Sequence, residues 1–268
     1  MNRLLKECFN YAENWKVRFN PAKSTSYSLY RPAGASFIVN ETVIPSTDIG
    51  FIYLGMPIGT HNFVADHFNC KFAKVERSFY SLRGIGCCVA MLPPKSLAYI
   101  YKQFCQSICR YGMECLYIDD KTLGVLNVRQ NVLLKHALGL NSRCRTKPLL
   151  HCLNVDQIGQ IYQKHKLFGI KQFLSNDLSA SVFNWLSYNY SYYVKPNKRS
   201  FFYQLDKLGA SFDGFNFNSI SQARSLIDSE FMCNDIELVT LVADLLNGYN
   251  SHNWFLSCNR LKSILSVI

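Results

Sequence analysis

The sequence predicts an α+β chain that is mostly α: a small antiparallel sheet with one helix first, then a helical bundle, then a helical tail. Three observations lead there. Residues 1–61 hold one apolar stripe at helical spacing and four short β-prone runs. From Asn62 onward, apolar residues recur at helical spacing between glycine and proline stops. Charged or amide residues interrupt every apolar stretch short of the ~20 residues that cross a membrane. With 49% hydrophobic and 18% charged residues among 268, the chain can bury a core, which excludes disordered and low-complexity classes.

The elements follow in order. Leu4, Leu5, Cys8, Ala12 and Trp15 share one face of a helix over 4–18, and Asn20-Pro21 must end it because the residue before proline is driven out of the α conformation. Strands are expected at 26–30, 36–39, 42–44 and 51–54, with the polar pair Asn40-Glu41 as a tight hairpin turn and Gly55 ending the last strand. Four short strands and one helix make a poor core by themselves, so 1–61 reads as part of a larger domain.

Over 62–175 the helices are punctuated by Gly84, Gly86, Pro93-Pro94, Gly112, Gly139 and Pro148. Pro93 or Pro94 suits the first turn of a helix reaching Arg110. Asp119 or Asp120 suits the N-cap of one reaching Leu138, with Gly139 as its stop. After Asn176, the run Tyr188, Tyr190, Tyr192, Tyr193, Pro196, Lys198 and Arg199 reads as an aromatic loop, and further helices are expected near 220–229, 236–246 and 253–266. Three domains result: 1–61, 62–175 and 176–268.

Eleven cysteines do not imply a disulfide framework, since the number is odd, Cys87 and Cys88 are adjacent, and the opening residues lack a secretory pattern. A reduced, intracellular protein is expected. No Cys-x-x-Cys occurs; Cys105 and Cys109 share a helix face as buried thiols, and Cys144, His151 and Cys152 do not complete a zinc spacing, so no metal or cofactor is assigned. Neither a nucleophile elbow nor a glycine-rich phosphate loop is present to support catalysis.

The charge is uneven. Lys and Arg number 29 against 18 Asp and Glu, a net +11. Basic residues number six against five acids over 1–70, sixteen against five over 71–171, and seven against eight over 172–268. A solvated face normally mixes signs, so the middle segment reads as an anion-binding surface. Its candidate contacts to a nucleic-acid backbone are Lys121, Arg129, Lys135, Arg143, Arg145 and Lys147. Tyr162 and Phe168 are either stacking planes for bases or core residues.

Four short motifs then fall in a familiar order. Val17-Arg18-Phe19-Asn20-Pro21-Ala22-Lys23-Ser24 is followed by Phe51-Ile52-Tyr53-Leu54-Gly55, then by Ile108-Cys109-Arg110-Tyr111-Gly112-Met113-Glu114 and Ala137-Leu138-Gly139-Leu140-Asn141-Ser142-Arg143. Together they resemble the end of the palm and the thumb in reverse transcriptases of non-LTR (LINE-type) retrotransposons, over roughly residues 1–175. The resemblance implies that Asn20 and Lys23 correspond to the element beside the incoming nucleotide, with Lys23 as a proton donor to the leaving pyrophosphate. It makes Tyr53, Leu54 and Gly55 the primer-grip turn. It also implies that the fingers and the palm aspartates, which hold two Mg²⁺ ions in the intact polymerase, precede this chain. No catalysis is then expected from the chain alone, and its partner is RNA or an RNA–DNA hybrid. The competing expectation is a helical protein-interaction domain without nucleic-acid affinity.

Tyr117-Ile118-Asp119-Asp120 spells the polymerase signature Tyr-x-Asp-Asp, but after the primer-grip-like turn instead of before Lys23. The two acids are read as the cap and first turn of the next helix, where the dipole favours negative charge.

Overall fold

The computed structural model describes residues 2–27, 37–39, 42–189, 203 and 217–266. The chain is mostly helical with a small strand content, the α+β class expected. It forms two compact units, 1–67 and 68–268.

In the first unit, α1 (Asn2–Asn14) stops earlier than the Asn20-Pro21 pair requires. Lys16 adopts a left-handed φ of 56°. The Lys16 amide donates to the Glu13 carbonyl at 3.3 Å and the Val17 amide to the Ala12 carbonyl at 2.8 Å, the two bonds of a Schellman end. A 3₁₀ turn (Pro21–Lys23) follows, with the Asn20 side chain accepting from the Ala22 amide at 3.0 Å.

The strands are β1 (Ser26–Tyr27), β2 (Phe37–Val39), β3 (Thr42–Ile44), β4 (Ser46–Thr47), β5 (Gly50–Tyr53) and β6 (Met56–Gly59). They pair as three two-stranded ladders: β1 with β4 in parallel, β2 with β3 and β5 with β6 antiparallel. The small sheet of the sequence reading is thus divided, and it includes β4 and β6, which that reading lacked. Pro57 conceals β6 in the sequence, since proline is tolerated only where its missing donor faces no partner. The expected turn at Asn40-Glu41 and the remainder of 28–36 lie outside the described residues. Among the described hydrophobic residues of this unit, only Ala12 and Ile44 are buried.

The second unit begins within α2 (His61–Gly84), whose Phe68, Phe72, Val75 and Phe79 form a buried stripe. Each such phenyl contributes about 1.5–3 kcal/mol by leaving water. Gly86, at φ 98°, supplies its Schellman end. As expected, Pro94 opens the helix that runs to Arg110, but its middle is irregular: α3 (Pro94–Ile100), a π-helical stretch (Tyr101–Gln106) and α4 (Ser107–Arg110) are continuous. The extra residue in the π stretch goes with a buried polar network. The Gln106 amide donates to Gln130 Oε1 and to the Asp156 carbonyl, both at 3.1 Å, Gln130 Nε2 donates to the same carbonyl at 3.0 Å, and Tyr101 donates to Gln130 Oε1 at 3.3 Å.

α5 (Asp120–Ala137) starts at the Asp119 cap and ends at Gly139, φ 72°, in a Schellman motif. α6 (Lys147–Cys152), α7 (Ile158–Leu174) and α8 (Asp177–Tyr188) follow. The last three helices are α9 (Phe217–Phe231), α10 (Ile236–Asn247) and α11 (Trp254–Leu265). These pack into the same unit: Leu167, Ile170 and Phe183 from α7 and α8 meet Ala223 and Ile227 of α9 in one cluster. The expected aromatic loop from Tyr190 to Arg199 lies outside the described residues. No helix among those described is long and apolar enough to cross a membrane.

Candidate nucleic-acid interface

Of the six basic candidates, Arg143 and Arg145 lie on the connection between α5 and α6, and Lys147 opens α6. Asn141 starts the connection by accepting from the Cys144 amide at 3.2 Å, and α11 holds it from beneath, since the Leu265 carbonyl accepts from the Arg145 amide at 2.7 Å. Cys144 is buried while Arg143 and Arg145 on either side are exposed, so the alternation in sequence becomes two guanidinium groups turned to solvent over an anchored thiol. Lys147 is exposed at the start of α6. No described carboxylate pairs with these three side chains. Lys121, exposed in the first turn of α5, likewise pairs with no described carboxylate.

The other two are committed inside the unit. Arg129 makes a bidentate pair with Glu76, Nε to Oε1 at 2.8 Å and Nη2 to Oε2 at 2.7 Å, and its guanidinium lies 4.8 Å from the centroid of Phe72. The hydrogen bonds that it donates to Glu76 raise its pKa further. Lys135 is buried and donates to the Ser142 carbonyl at 2.7 Å, which makes it a brace of the basic loop.

Sequence reasoning missed that lysines brace carbonyls elsewhere too. Lys71 donates to the Tyr111 carbonyl at 2.7 Å, Lys102 to that of Asn154 at 2.7 Å, and Lys166 to those of Leu116 and Glu114 at 2.6 and 3.2 Å. A signal existed for Lys71: it falls within the apolar stripe of Phe68, Phe72 and Val75.

Two of the four segments that carry the family resemblance lie in the first unit. Asn20 and Lys23 frame the 3₁₀ turn, with the Lys23 amide bonded to the Asn20 carbonyl at 3.1 Å and the Lys23 side chain exposed. Tyr53 pairs with Met56 across a two-residue turn in which Leu54 and Gly55 both have positive φ, 49° and 78°, the requirement of a type I′ hairpin. Leu54 is 70% exposed at this tip, and Tyr53 is exposed beside it. Tyr27 of β1 meets Phe51 of β5 at 6.3 Å between centroids, so the two segments belong to one body.

The Tyr-x-Asp-Asp string is a helix start. Asp119 Oδ1 accepts from the Thr122 amide at 3.2 Å and the Ile118 amide donates to the Tyr162 hydroxyl at 3.1 Å. Tyr162 is therefore a buried strut, and burial raises its pKa. Among the described residues no group of three His, Cys, Asp or Glu side chains is placed to hold a metal ion. Cys105 and Cys109 are buried free thiols as expected, burial pushing Cys109 up to about 12.

Compared with known proteins, the chain matches no family model, no curated protein and no solved structure.

Proposed function

We propose that the chain is the C-terminal part of a retroelement reverse transcriptase, the end of the palm and the thumb, and that it binds the backbone of RNA or an RNA–DNA primer-template without catalysing synthesis by itself. The observation that carries the binding is the anchored loop with Arg143 and Arg145 exposed and Lys147 beside them. Phosphate contacts of this kind are sequence-tolerant and release counterions. The lineage rests on the ordered motifs, supported by the exposed apolar hairpin tip at Tyr53-Leu54-Gly55 and the thin core of the unit that bears it.

The test is fluorescence anisotropy of the full chain with a labelled RNA–DNA hybrid. With three phosphate contacts, affinity should fall roughly 40-fold between about 50 and 200 mM salt. The Arg143→Glu/Arg145→Glu/Lys147→Glu variant should lose most of that affinity and its salt slope. Primer extension with Mg²⁺ and dNTPs should give no product. Synthesis that disappears in Asp119→Ala/Asp120→Ala would overturn the noncatalytic reading.

One observation favours the alternative of a protein-interaction domain. Val125, Val128 and Val132 form an exposed apolar stripe along α5. That reading requires no measurable affinity for the hybrid at about 50 mM salt.

A further inference from the structure

A second basic feature lies away from the 141–147 loop, in a groove of about 390 Å³ that borders α4, α7 and α9. Arg110 comes from α4, Lys164, His165, Phe168 and Lys171 from α7, and Arg224 from α9. Lys164, Phe168 and Lys171 are spaced i, i+4, i+7, so they run along one face of α7 with the phenyl between the two ammonium groups. The lining has one acid, Asp156.

The balance of charge can be followed bond by bond. Lys164 is taken up by two carboxylates, Asp156 at 3.0 Å and Asp228 at 2.7 Å. Gln160 also donates to Asp228 at 2.8 Å. Burial works to raise the Asp228 pKa, but these bonds and the nearby Arg224 outweigh it and hold the carboxyl below its ordinary range. Both acids are therefore already bonded, while Lys171 bonds to no described carboxylate. Arg110 is fixed by a 2.6 Å bond from Nη2 to Gln106 Oε1, on the buried network of the π stretch, and its Nε is buried with no hydrogen-bond partner among the described residues. His165 Nδ1 is a second such atom on the groove lining, 3.5 Å from the Glu114 carboxylate, and burial lowers its pKa.

Phe168 distinguishes this groove from a bare phosphate site. It is 51% exposed, although its neighbour Leu167 on the same helix is buried. An uncovered phenyl flanked by cations offers a base a π-face while its phosphate meets the charges. The volume lies in the range that accommodates a nucleotide-sized ligand.

We infer that this groove binds single-stranded RNA or DNA, taking one phosphate on Arg110, Lys171 and Arg224 and stacking the adjoining base on Phe168. A duplex does not satisfy it, because the base must leave its stack to reach the ring. The inference goes beyond the duplex-backbone contact assigned to the 141–147 loop and stands without it.

The experiment is anisotropy of the full chain with fluorescein-labelled oligo-dT and oligo-U. One neutralised phosphate predicts an affinity loss of roughly threefold between about 50 and 200 mM salt. Lys171→Glu/Arg224→Glu should weaken binding at least tenfold and flatten the salt dependence. Phe168→Ala, and Phe168→Leu which keeps the bulk, should each weaken it roughly tenfold with the salt slope unchanged. The loop triple variant should weaken hybrid binding far more than single-strand binding. Circular dichroism and melting of each variant establish that the fold is retained. Unchanged affinity in Lys171→Glu/Arg224→Glu would overturn the site. Unchanged affinity in both Phe168 variants, with the charge reversal still effective, would overturn the nucleotide and leave only a polyanion groove.

Discussion

Lys166 shows how far a single side chain can depart from its expected part. It is 2% exposed, its ammonium lies 5.1 Å from the Tyr162 ring centroid, and burial lowers its pKa to about 8. The unfolded chain, with an ordinary lysine pKa near 10.5, binds more protons than the native state between these values. This contribution to stability is therefore present above about 10.5 and lost as pH falls through about 8. Cys109 acts in the opposite sense: its raised pKa stabilises below the ordinary thiol value and is lost as pH rises toward about 12. Only a difference isolates the lysine. Denaturant unfolding of the parent and of Lys166→Met should give a stability gap that moves in the parent's favour by up to about 3 kcal/mol from pH 8 to 10.5; a gap independent of pH would exclude the buried ammonium. The same lesson explains why Arg129 and Lys135 were legible as cations but not as braces. Sequence counts their charge, whereas Glu76 and the Ser142 carbonyl reach them only through the fold.

Among the elements, legibility followed local chemistry. The Asp119 start and Gly139 stop of α5 were readable because a carboxylate cap and a left-handed glycine are local requirements. The end of α1 was not, since lysine has no preference for the left-handed φ that Lys16 adopts. Glycines divide similarly. Gly50 faces Gly59 across the β5–β6 ladder, and a Cβ added at Gly59 would stand 2.5 Å from both the Gly50 Cα and the Ile49 carbonyl oxygen. These are backbone atoms that cannot move aside, so Gly59→Ala should open the ladder, destabilising the first unit by roughly 2 kcal/mol or more. Gly124 lies inside α5 with nothing within 4 Å of its added Cβ. There Gly124→Ala should stabilise by about 0.5–1 kcal/mol. Amide exchange in β5 for the first and the melting temperature for the second would check both.

At the scale of the whole molecule, the class was legible because helical periodicity dominates after Asn62. The parting of the two units was not, because it falls inside α2, where an unbroken helix carries no punctuation. The units differ in burial: Ala12 and Ile44 are the described buried hydrophobics of the first, whereas the second is filled from α2, α5, α7 and the last three helices. Few buried contacts mean low-energy opening. Hydrogen exchange on the intact chain should therefore find α1 and the ladders exchanging orders of magnitude faster than α5 and α7, and equal protection would contradict the thin core.

The π stretch at Tyr101–Gln106 carries a consequence for how the chain's length can vary. A π turn is an α-helix holding one residue more than its pitch accommodates. Losing one of its exposed residues, Gln103 or Phe104, would restore regular α geometry, and the flanking segments α3 and α4 would keep the faces they now present. What would change is the aim of Gln106, and with it the support of Arg110. A shortened version of the chain would keep its fold and lose the placement of one cation.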